Sequence, residues 1–256
     1  MEDKKVTLIQ KVLSDENIFS AIYSVESYIS EVNLLPKEDL ELFYKLKDKY
    51  NTVIIEEIID ECKKLLRNVL YSGEYFEIKV FFKAKKWDDK AHCIKYRPIH
   101  TASLITQICI VCLLNQIMFK ESKDGKRELS DLAQLIPSNF YGNIPTLESE
   151  RIFYDWRQKY KEYTEKVIQT YDEAAKNHSY KYEVALDLEN FFPSVNPDVL
   201  YNFCIKKIGQ LHQEDAIDLE IVLDKLLKFK VINLTSSKSI EKYYGEDYKE
   251  LRPHSI

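Results

Sequence analysis

The chain has 256 residues, of which 45% are hydrophobic and 31% charged, with 5 Gly and 7 Pro. That composition belongs to a globular protein with a real core and leaves little room for long flexible linkers. A net charge of −5 and a pI near 5.7 argue against a protein that coats nucleic acid non-specifically, although a local basic patch acts through its own field.

The N-terminal MEDKKVTLIQKVL has no apolar signal-peptide core, and no window approaches the ~18 uninterrupted apolar residues of a membrane span. Five cysteines (Cys62, Cys93, Cys109, Cys112, Cys204) form an odd, irregular set. A reducing cytoplasm and no membrane partner are therefore expected. Cys109 and Cys112 make a CxxC inside ICIVCLLNQIM, but a second such pair is missing. Packing in a buried helix is the better reading of both thiols than zinc or redox use.

Residues 5–70 read as helical, with Leu40, Phe43, Leu46, Tyr50, Val53 and Ile54 at helical spacing and Pro36-Lys37-Glu38-Asp39 as a helix start. From Ser72-Gly73 the pattern changes. FEIKVFFK (76–83) and HCIKYRPI (92–99) read as strands joined by a WDDKA turn. A long apolar helix follows over 102–119, ended by ESKDGKRE. PSNFYGNIP (137–145) is a loop, and 147–178 reads as one long charged helix. YKYEVALDL (180–188) reads as a strand. Residues 196–208 and 215–229 read as helices, the first with Asn196 as cap and Pro197 at its first position. The remaining tail is polar and irregular. The order predicts an α+β fold.

The strand at 180–188 ends on a carboxylate. Alternation puts Tyr182, Val184 and Leu186 on one face and Glu183, Ala185 and Asp187 on the other. A carboxylate at that place is either capped by main-chain donors in a turn or binds something positive. Upstream, Lys79 to Arg97 holds seven basic residues against two acidic ones, inside a chain that is negative overall.

DLENFFPS (187–194) resembles motif A of the reverse transcriptase superfamily, most closely its bacterial defence-associated, abortive-infection branch. FFKAKK with KYRPIHTASL resembles that family's fingers hairpin, and SNFYGN (138–143) its fingers–palm loop. The three pieces occur in family order over roughly residues 76–210. The resemblance implies an incomplete right-hand polymerase: a helical N-terminal extension (1–72), a fingers region with its β-hairpin and helices (73–180) and the first part of a palm sheet (181–256). It makes Asp187 the catalytic magnesium ligand, with the Leu188 carbonyl completing an ion's shell; manganese is the natural substitute. Lys83 and Arg97, with Lys95 as a weaker candidate, take the triphosphate, and Phe192 becomes the gate under the sugar. Phe140 and Tyr141 become stacking residues for nucleic acid. Asn143 stands where intron-type members carry Phe followed by Arg, which weakens the template contact there.

The family's remaining carboxylates come from a Tyr-x-Asp-Asp hairpin, which these 256 residues do not contain. YYGEDY (243–248) lacks the flanking apolar strands. The expectation is therefore part of an RNA-directed or template-independent DNA polymerase with an antiviral role, which does not extend a primer alone. Its partners are a deoxynucleoside triphosphate, an RNA or DNA template and primer or a protein primer, and a second chain supplying the rest of the palm, with a homo-oligomer admitted. The alternative is a non-catalytic nucleotide- or RNA-binding remnant that acts as a scaffold subunit.

Overall fold

A computed structural model describes residues 6–29, 35–48, 50–90, 92–122, 124–137, 139–148, 151–177, 182, 196–211 and 216–233. In chain order the elements are α1 (Leu8–Val12), α2 (Asp15–Tyr28), α3 (Lys37–Leu46), α4 (Thr52–Tyr71), β1 (Phe76–Asp88), β2 (Cys93–Thr101), α5 (Leu104–Met118), β3 (Phe119–Glu121), β4 (Arg127–Leu129), α6 (Trp156–Lys176), α7 (Pro197–Leu211), α8 (Ala216–Leu227) and β5 (Phe229–Val231). The class is α+β, with one three-stranded sheet ordered β2-β1-β5 and a small β3–β4 hairpin.

The apolar run 104–118 has hydrophobic residues on every side, so its helix can be stable only at the centre. There α5 packs against α2 and α4, and also against α1, α3 and α8. Ser103 starts it, its Oγ accepting from the Thr106 N–H at 3.2 Å. Cys109 and Cys112 are fully buried together with Cys62 on α4, as expected for packing thiols. Burial pushes both α5 thiols well above the ordinary cysteine range.

One polar residue ties this core together. The Asn17 side-chain N–H groups donate to the carbonyls of Val12 (3.0 Å) and Cys112 (3.1 Å), and its Oδ1 accepts from Gln116 at 3.1 Å. At the rim, the Ile9 N–H donates to Asp218 Oδ2 at 3.1 Å and links α1 to α8. The apolar cluster runs continuously from Leu8 to Leu223. No helix among the described residues is long and apolar enough to cross a membrane.

The N-terminal helices form as expected, with one correction. Tyr50 and Val53 are 82% and 64% exposed and do not extend the stripe of Phe43 and Leu46. Asp48 stops that stripe by accepting the Tyr50 N–H on its carboxylate at 3.1 Å, and α4 restarts with its own buried face through Ile55 and Ile58. Two further segments differ from the reading of the sequence. Within ESKDGKRE, Glu121 ends β3, the Ser122 and Gly125 N–H groups donate to the Lys126 and Ser122 carbonyls, and Arg127 opens β4, with Gly125 at φ +73° and Arg127 stacked 3.5 Å over the Phe119 ring. The helix expected from 147 begins only at Trp156. The preceding residues pair instead, Thr146 N–H to Ile152 O at 2.9 Å and Tyr154 N–H to Ile144 O at 3.0 Å, which buries Ile152 and Phe153. Asp155 then caps α6 through the Arg157 N–H at 2.9 Å. Asn196 starts α7 as read, its Oδ1 accepting from the Asp198 N–H at 2.9 Å. The expected strand at 180–188 lies outside the described residues apart from Tyr182, which is exposed.

Candidate functional site

The basic segment forms the β1–β2 hairpin, and its foot is clamped. β5 runs parallel to β1, pairing Phe76–Ile78 with Phe229–Val231, and the Ile232 N–H reaches Ile78 O at 3.0 Å. Asn233 prolongs this ladder with its side chain. Its Oδ1 accepts the Val80 N–H at 2.8 Å, and its Nδ2 donates to the Val80 carbonyl at 2.7 Å. Val80 thus spends both main-chain groups away from β2.

That detail sets the class of every pair up the hairpin. Val80–His100 must be a non-hydrogen-bonded pair, and antiparallel pairs alternate. Phe82–Pro98 falls in the same class, so Pro98 sits on the edge strand where a missing N–H costs nothing. Lys83–Arg97 falls in the hydrogen-bonded class, with α-carbons about 5.5 Å apart.

Directly opposite residues share one face of a ladder. Beyond Lys83 the register shifts between Ala84 and Lys86, and Lys86 then faces Lys95. The extra residue re-phases β1, so positions 83, 86, 95 and 97 belong to one face, with Lys79 at its foot ~13 Å below Lys83. The side chains of Lys83, Lys86, Lys95 and Arg97 lie outside those described. Lys86 joins the group only through this bulge. One signal marked it: the apolar phase moves from even positions (Phe76, Ile78, Val80, Phe82, Ala84) to odd at Trp87. The opposite face is buried at the foot by Ile78 and Val80, while Trp87 and Ile94 at the outer end are exposed.

A cavity of about 640 Å³ opens at the foot, lined among others by Asp39, Glu77, Lys79, Thr101, Ser103 and Lys230. Its charges are largely compensated within it. Lys230 Nζ donates to Glu77 Oε1 at 2.9 Å, and that bond raises the lysine's pKa. Burial raises the Asp39 carboxyl, against the pull of the Leu104 N–H and of Lys79. The cavity therefore holds no large excess of positive charge. Beside Val80, burial lowers the His100 pKa.

The loop residues separate into distinct roles. The Tyr141 ring meets Tyr163 of α6 at 5.7 Å and anchors the loop. Phe140 is half exposed and folds over Gly142 so closely that a β-carbon there would come within 2.5 Å of the ring. Asn143 is exposed. Asp187, Leu188 and Phe192 lie outside the described residues. Among the described residues no three His, Cys, Asp or Glu side chains converge on a common point that could hold a metal ion. The chain matches no protein-family model, no curated protein and no solved structure.

Proposed function

We propose that the β1–β2 hairpin grips the triphosphate of an incoming deoxynucleotide, as the fingers element of an RNA-directed or template-independent DNA polymerase. The observation that supports this reading is the register: Lys83 directly opposite Arg97, with Lys86 opposite Lys95 on the same face. Two cations ~5.5 Å apart at their α-carbons can close on a polyphosphate from both sides. Arg97 supplies a fork that donates two parallel bonds to phosphate oxygens, and Lys83 supplies a mobile point charge. The clamp at Asn233 holds the foot of this grip in register.

In the same proposal Asp187 and the Leu188 carbonyl hold magnesium, which neutralises phosphate charge when bound, and Phe192 packs under the sugar. The reaction is attack of a 3′-hydroxyl or a protein hydroxyl on the α-phosphate, with pyrophosphate leaving. The antiviral role rests on the sequence resemblance alone.

Titration of the chain with a fluorescent deoxynucleoside triphosphate tests the grip. Arg97→Ala and Lys83→Ala should each weaken binding ~10–100-fold, as loss of a charge-assisted contact does. Lys90→Ala, in the turn, should leave it unchanged. Equal affinity in all four proteins removes the hairpin from any nucleotide site. Binding of an RNA oligonucleotide with no affinity for the triphosphate favours the scaffold alternative.

A further inference from the structure

We infer that α6 is a self-association helix, pairing antiparallel with α6 of a second copy of this chain. The inference stands independently of the polymerase reading. α6 has 21 residues and none of them is buried, and no extensive packing joins it to another described helix or strand. In proteins most helical stability comes from a packed apolar face rather than from propensity.

α6 has an apolar face. Trp156, Tyr160, Tyr163, Val167, Thr170 and Ala174 follow one another at alternating steps of four and three, which is a heptad seam. Trp156, Tyr160 and Tyr163 are 52%, 60% and 46% exposed, Val167 and Ala174 are half-buried, and the Tyr141 ring lies tilted against Tyr163, 5.7 Å between centroids.

The order of sizes along the seam selects the partner. Along the seam itself bulky residues fill the first half and small ones the second, while the exposed Ile168 and Tyr171 lie off it. An antiparallel copy sets Trp156 against Ala174, Tyr160 against Thr170 and Tyr163 against Val167, one large and one small residue in each layer. A parallel copy stacks ring on ring at one end and leaves voids at the other. Charge agrees with size. Residues 157–166 carry four cations and two acids, and 167–176 two acids and one cation, so antiparallel pairing brings unlike halves together. The helix dipoles favour the same arrangement. One contact opposes it: Lys166 meets Lys166 of the second copy near the two-fold axis.

Three half-covered rings leave roughly 100 Å² each. With the flanking stems, a symmetric pair covers on the order of 1,000 Å² in total, the lower limit for a specific association. The dimer is therefore a weak and reversible one.

Sedimentation velocity over a concentration series of the whole 30.3 kDa chain tests this. A monomer–dimer equilibrium is expected. Tyr160→Glu should abolish it without loss of helix signal. Trp156→Ala and Ala174→Trp should each weaken it at least ~10-fold, and the double variant, which swaps large for small in the same layer, should restore it. Lys166→Gln should tighten it. A monomer at every concentration overturns the inference, as does a dimer indifferent to Tyr160→Glu or a double variant no better than the singles. A chain that stays monomeric and loses single-stranded RNA binding on Tyr160→Glu would assign the stripe to base stacking instead.

Discussion

Replacing Asn233 by alanine removes the side chain that imitates a strand at the foot of the hairpin. Two hydrogen bonds are lost, at 2.8 and 2.7 Å, and both fall on one residue, Val80. At about 1 kcal/mol net for each bond, and more because Val80 is buried, the local cost is about 2–3 kcal/mol. If Val80 exchanges through opening of this contact, its amide should exchange ~30–150-fold faster. Asn233→Asp should give an intermediate effect, since a carboxylate accepts the Val80 N–H but cannot donate to its carbonyl. Hydrogen exchange followed by NMR reads the amide directly. Protection of Val80 in Asn233→Ala within threefold of the parent would refute the clamp and, with it, the pair classes assigned to Pro98 and Lys83. Triphosphate affinity measured on the same variant should fall if the clamp holds the grip in register.

Three further outcomes follow from the described geometry. Asn17→Ala strips the buried carbonyls of Val12 and Cys112 of their donor, so the urea midpoint should fall by the equivalent of about 2–4 kcal/mol; an unchanged midpoint denies the bridge its role. His100 has a folded pKa below its ordinary value of 6.5, so the unfolded chain binds the extra proton. Stability should be complete above pH ~6.5 and decline as pH falls through the folded pKa; His100→Gln should flatten that decline, measured by urea unfolding at pH 7.5 and 5.5. Cys109 and Cys112, buried and with raised pKa, should react with an aromatic disulfide reagent only as fast as the chain unfolds, while the partly exposed Cys204 reacts sooner. Rapid modification of Cys109 in the native protein would contradict its place in the core.

Local signals carried much of the architecture. α5 was legible because fifteen residues without a polar face have only one stable location, and the two strands of the hairpin because β-branched and aromatic residues cluster there. Caps such as Asn196 act within a few residues and read directly. Two of the segments that differed were those where a partner six to ten residues along the chain decides. Residues 147–155 carry helix-compatible side chains, yet the pairing of Thr146 with Ile152 and of Tyr154 with Ile144 takes their main-chain groups before a helix can. ESKDGKRE looks like a charged break until Phe119 finds Arg127.

The candidate site divides along the same line. The sequence by itself determined that a basic hairpin exists, which residues are cationic, and that a carboxylate ends a later apolar run, because residue type and short-range alternation are local properties. Only the tertiary structure decided that Lys83 faces Arg97, that a bulge turns Lys86 to the same face, and that Asn233, 153 residues away, holds the foot. Register is a relation between two segments. A slip of one residue would leave every local preference intact and move every side chain to the other face, so only the packed arrangement of both strands can set it.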